Sequence, residues 1–135
     1  MIWTGLSKHR ELGLLLMRVG LGFMFLLVHG GPKMMGGPGL WEKVGQATSH
    51  FGINFSPTAF GLAAALAESL GGILLILGFF FRPACVLLII IMVTAATNHF
   101  AMGQGWSGAS HAIEVGCALV GLLLVGPGKY SLDRK

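Results

Sequence analysis

The chain has 135 residues, 54% of them hydrophobic and 10% charged, with a formal net charge of +4 and a mean hydropathy of +0.78. Soluble domains carry about 25% charged residues, so this composition excludes a soluble fold and points to one integral membrane domain. The basic excess lies in short termini and loops, with no basic run interleaved with aromatics, so nucleic acid is excluded as a partner and the charge reads as an orientation signal.

Lys8, His9 and Arg10 imitate the start of a secretory signal, but the apolar stretch that follows carries Arg18 and ends in HGGPK without an A-x-A site. A first membrane span is predicted over 11–30, long enough to cross the hydrocarbon core, with GGP at 30–32 ending it. In the connection 31–56, Leu40, Val44, Ala47 and Phe51 recur at near-helical intervals. They fit a short amphipathic helix on the membrane face or an ordinary loop.

A second span is predicted over 57–81, with Ser56 as its entry cap and Pro57 in its first turn. The third follows Arg82-Pro83 and covers 83–100; the fourth covers 110–125 and stops at GPG, 126–128. Short connections between them predict an all-α, up-down-up-down four-helix bundle. Cys85 and Cys117 lack CxxC spacing and read as buried small hydrophobes. Arg82 is expected to snorkel at the turn before the third span, with Phe79–Phe81 and Trp106 as interfacial anchors.

Lys8, Arg10, Arg82, Lys129, Arg134 and Lys135 fall on one side and Lys33 and Lys43 on the other. Under the positive-inside rule both termini are expected in the cytoplasm of a bacterial inner membrane.

A charged side chain near the middle of a span costs roughly 2.5 to 3.5 kcal/mol on insertion scales. Arg18 and Glu68 are two such groups, at depths that differ by only about 5 Å, and an Arg18–Glu68 ion pair is the expected answer, the cation offsetting desolvation of the carboxylate. Ala64 and Gly72, one turn either side of Glu68, let another backbone approach. On the first span Arg18, Gly22 and His29 share a face, and Lys33 joins them if the helix continues.

A second polar group gathers at the outer ends of the spans: His29, Asn98, His99, and His111 with Glu114 three residues on. Together with Glu68 these side chains are expected to line a cavity open on the extracytoplasmic side. Three uses are compatible with that pattern. The charges set helix register without chemistry; or carboxylates and imidazoles exchange protons with a quinone-like ligand; or His99, His111 and Glu114 hold a metal. The last is disfavoured, because di-iron bundles need a Glu-x-x-His motif on two helices.

In their order along the chain, LLLMRVGLGFMFLLVHGGPK (14–33), AESLGGILLILGFFFRPA (67–84) and EVGCALVGLLLVGPGKYSLD (114–133) resemble the DoxX family of small bacterial membrane proteins. The resemblance implies a four-helix bundle and an association with oxidoreductases: subunits of thiosulfate:quinone oxidoreductases, or membrane partners of oxidative-stress and thiol-handling enzymes. By motif position it carries over Arg18, Lys33, Glu68, Arg82 and Glu114. His29, His99 and His111 rest on the spatial reading alone.

The resulting expectation is a membrane subunit of a quinone-linked oxidoreductase. Glu68, Glu114, His111 and His99 would carry its chemistry, with Arg18, His29, Lys33 and Asn98 binding the ligand. Quinone is the cofactor expected and a metal is not. The partners are membrane lipid, a soluble or membrane oxidoreductase and further copies of the chain. A non-catalytic anchor, assembly factor or small-solute carrier is the alternative. With no nucleotide motif and no CxxCH, electron transfer would need a quinone, a metal or another protein.

Overall fold

The computed structural model describes residues 2–133; Arg134 and Lys135, counted above for orientation, lie outside them. No strand occurs among the described residues, and four helices are long and apolar enough to cross a membrane: α1 (Thr4–Met35), α3 (Pro57–Leu77), α4 (Phe81–Ala101) and α5 (Gly105–Val125). Between the first two lies α2 (Gly37–Gly45), continued by a 3-10 segment over Gln46–Phe51.

α1 does not stop at GGP. Over Phe25–Gly30 it widens into a π segment, the Gly31 N–H reaching back to the Leu26 carbonyl, and an α-helical turn resumes at Gly31–Met35. Proline in a regular helix clashes with the carbonyl four residues back and removes a donor. The wider turn ahead of Pro32 shifts that carbonyl ladder, so the helix continues through it. Lys33 is thereby carried on the same helix as Arg18 and His29.

The connection to the second span is helical, but not as an isolated helix on the membrane face. α2 lies against the first turns of α3, so close that a Cβ on Gly45 would collide with the Pro57 carbonyl and one on Gly61 with that of Trp41. Ser56 occupies the expected cap position at φ 50 and its carbonyl accepts the Phe60 N–H, but its side chain makes no capping bond.

α3 ends four residues earlier than expected, at Leu77, and the residue that caps it is Gly78. That residue takes φ 64, and the N–H groups of Gly78 and Phe79 return to the carbonyls of Leu75 and Leu74, the helix-ending motif that favours glycine. α4 then starts at Phe81, with Pro83 in a first turn whose N–H groups have no helical partner anyway. α5 starts five residues earlier than the sequence suggests, through the Gly-Trp-Ser-Gly stretch.

α1 crosses α3 where Gly22 meets Gly72; a Cβ on Gly22 would lie 2.6 Å from the Gly72 carbonyl. All four spans feed one core: Leu14 and Phe25 from α1, Leu75 from α3, Phe81, Cys85, Leu88 and Met92 from α4, and Ala112, Leu119 and Leu122 from α5. Exposed Leu, Ile, Val, Met and Phe cover the outer faces, as lipid requires. Cys117, expected to be buried, is exposed. It borders an apolar groove of about 380 Å³ between α4 and α5, lined also by Ile89, Met92, Val93 and Gly116.

Candidate functional site

Two polar assemblies occupy the interior, and they separate the two charges that the sequence pairs. Glu68 is 1% exposed, as the stripe around it requires. Its partner is Lys33, not Arg18: the Lys33 ammonium donates to both carboxylate oxygens, at 2.8 and 2.9 Å. The continuation of α1 past Gly30 makes this bond geometrically available, and Trp41 on α2 anchors that turn by donating its indole N–H to the Lys33 carbonyl at 2.7 Å. Lys33 remains 28% exposed, so the pair links a buried carboxylate to the rim of the bundle.

Arg18, fully buried, serves a different structure. Its guanidinium donates to the carbonyls of Leu75 and Ile76 at 3.4 Å each, and to the Tyr130 carbonyl. The first two are terminal carbonyls of α3, a place where intrahelical donors run out; that of Leu75 also accepts the Gly78 N–H. The segment after α5 completes that end: Leu132 and Asp133 donate their N–H groups to the Leu77 and Gly78 carbonyls, at 3.1 and 2.9 Å. The Asp133 carboxylate in turn accepts from the N–H groups of Phe80 and Phe81, at 3.1 and 2.7 Å. Arg18 and the SLD tail together clamp the α3–α4 turn. Arg82, exposed beside it, donates to the Leu123 carbonyl at 3.1 Å.

Around Lys33–Glu68 stand two of the five histidines. His29 and His111 stack with ring centroids 5.2 Å apart and their Nε2 atoms 3.3 Å apart. Phe25 also packs against His29, with ring centroids 5.8 Å apart. His29 and Lys33 lie four residues apart on α1. One imidazole of the stacked pair must present N–H and the other a lone pair, so the short contact accommodates one shared proton and not two. Ser69, beside Glu68, is packed against Gly30 with its buried hydroxyl unpaired. The structure thus holds two polar pairs, Lys33–Glu68 and His29–His111, with Lys33 and His29 both supplied by α1.

The other expected members stand apart. Asn98 on α4 bonds to His50 at 3.1 Å, at the end of the 3-10 segment. His99 Nδ1 contacts the Gln104 side chain just beyond α4. Glu114 is exposed on α5, and no hydrogen bond or ion pair reaches it among the described residues. Among the described residues no hydrogen bond or ion pair joins Asn98, His99 or Glu114 to Glu68, His29 or His111, and none of the six lines the apolar groove described above. His99, His111 and Glu114 do not form a metal set either: among the described residues no three His, Cys, Asp or Glu side chains are grouped to hold a metal ion. Sequence reasoning missed Trp41, Ser69, Tyr130 and Asp133. Of these, only Asp133 carried a signal, as part of the closing SLD.

A family model described as DoxX matches residues 13–104. That stretch contains Arg18, His29, Lys33, Glu68 and Arg82 and stops before His111, Glu114 and the clamping tail. The chain is also similar to the inner membrane protein YphA of Escherichia coli strain K12, 30% identical over 134 residues, covering 93% of this chain and 91% of that protein. No solved structure matches it. With four apolar spans and a family match over more than half its length, this multi-pass membrane protein belongs to the DoxX family.

Proposed function

We propose that the protein is an inner-membrane subunit of a quinone-linked oxidoreductase system, in which Lys33, Glu68, His29 and His111 handle protons. The inner-membrane placement follows its Escherichia coli relative. The observation that carries the reading is that α1 contributes to two titratable pairs, Lys33 with buried Glu68 and His29 with His111 at the bundle edge. Intramembrane ionisable residues that converge on one another are expected where protons move. A quinone exchanges protons as well as electrons, and this site supplies donors and acceptors beside an apolar surface, which fits such a ligand. Lys33 balances the charge of Glu68, and the His29–His111 contact passes one proton at a time between the interior and the edge. Asn98 and His99 fall outside this site. Electrons would come from a partner protein, so the purified subunit alone is expected to turn over little.

Purification in a mild detergent, followed by extraction into organic solvent and chromatography, tests the reading. Wild type should retain quinone, and folded His111→Ala protein should retain at least about tenfold less, the loss of roughly one good polar contact. Equal quinone in both, or none in wild type purified from quinone-replete membranes, would refute it. A second reading is favoured by Arg18 and the tail: these polar groups only tie helix ends together, as in a non-catalytic anchor or assembly factor. Under it, Glu68→Gln would lower thermal stability and leave quinone content unchanged.

A further inference from the structure

Glu114 is tenth of the 21 residues of α5, so it sits near the bilayer midplane, and it is exposed. Left in acyl chains, an ionised carboxylate there is costly, since nothing replaces its hydration. Protonation would leave a hydrogen-bonding group with nothing to bond. On the same helix face lie exposed His111, half-buried Ala118 and exposed Gly121, at spacings of three and four residues. A Cβ on Gly121 would meet nothing within 4 Å, so another helix can approach the backbone there. Among the spans, α1 and α5 make little backbone contact with one another. The face beside that seam is consequently uncovered.

We propose that this α5 face is the interface of a two-fold dimer, in which Glu114 of each copy bonds His111 of the other. Complementarity between a carboxylate and an imidazole N–H selects a second copy as the occupant. The cations carried by the interior of the spans are already used, Arg18 on carbonyls and Lys33 on Glu68. His111 is thus the group that a second chain offers Glu114 at matching depth. An interface of this symmetry places the same face on both sides and makes every contact twice. Two parallel copies of α5 bring like residues to one depth, and the three-residue offset from Glu114 to His111 is about 4.5 Å, within reach of a glutamate side chain.

His111 uses Nε2 toward His29, and among the described residues its Nδ1 has no partner, so it can donate. A carboxylate on Nδ1–H fixes Nε2 of His111 as the acceptor. His29 must then be the donor in the stacked pair. The second copy would so set the direction of proton transfer in that pair, a consequence that rests on the function proposed above, whereas the dimer itself does not.

The test is cross-linking of the full chain in native membranes. In a Cys117→Ser background, Gly121→Cys should form a disulfide-linked dimer on mild oxidation, while Ile90→Cys, on the outward face of α4, should not. Adding Glu114→Leu removes both the exposed charge and its bonds; it should weaken association about tenfold in a dilution series followed by energy transfer in vesicles. Equal cross-linking at positions 90 and 121, single-copy particles in vesicles, or cross-links only to a different protein would overturn the proposal. A monomer that still retains quinone would remove the dimer and leave the proposed function standing.

Discussion

Lys33 and Glu68 form an ion pair with one partner almost fully buried, so removing one charge should hurt more than removing both. Lys33→Met leaves an uncompensated carboxylate in the bundle and is expected to cost about 3 kcal/mol, as other broken buried pairs do. Lys33→Met/Glu68→Met replaces both groups with apolar side chains of similar size and should recover most of that loss. Equilibrium unfolding of the single and double variants in mixed micelles measures the coupling; strictly additive effects would show that the pair is not a unit. The inward orientation of Glu68 was legible in the sequence, because a carboxylate flanked by Ala64 and Gly72 has no other tolerable direction. Its partner was not. Arg18 and Lys33 are both plausible by depth, and the choice depends on the π segment at Phe25–Gly30, which rotates every later residue relative to a regular helix.

Among the elements, α4 shows how one segment's stability is supplied by another. Its N-terminal N–H groups are capped by Asp133, 52 and 53 residues away in sequence, and Phe80 is held in the left-handed region at φ 44. Asp133→Ala should cost about 1 to 2 kcal/mol, the range for losing a capping side chain. It should also raise hydrogen exchange in the first turn of α4 without affecting that of α1. Phe80→Gly, which tolerates φ 44 without strain, should restore part of the loss in the double variant. Unchanged exchange in α4 would show that the carboxylate does not hold the turn. Local sequence rules find caps next to the helices they cap, so a cap delivered from the far end of the chain is invisible to them. The same limitation explains α5, where glycine and serine at 105–110 look like loop. Packing decides instead, with Ala109 and Ala112 buried.

For the molecule as a whole, hydropathy was enough to locate four spans, because in hydrocarbon every backbone group must be satisfied within a helix. Which ends of those spans share a membrane face is argued from contacts. The Lys129 N–H donates to the Glu11 carboxylate at 2.6 Å, and Leu132 and Asp133 bond the α3–α4 turn. Lys8, Arg10, Arg82 and Lys129 therefore belong to one end of the bundle. At the other end the charge of Lys33 is balanced by Glu68, which leaves Lys43, so the asymmetry is steeper than a count of basic residues implies. The positive-inside rule acts on such basic residues close to the span ends. By that rule both termini are expected in the cytoplasm. A fluorescent-protein fusion at the C-terminus should be bright and an alkaline phosphatase fusion there inactive, and fusions at the N-terminus should behave alike. An active phosphatase at the C-terminus would invert the bundle, placing Lys33 and the rim of the proposed proton-handling site on the cytoplasmic side and reversing the face at which protons would enter it.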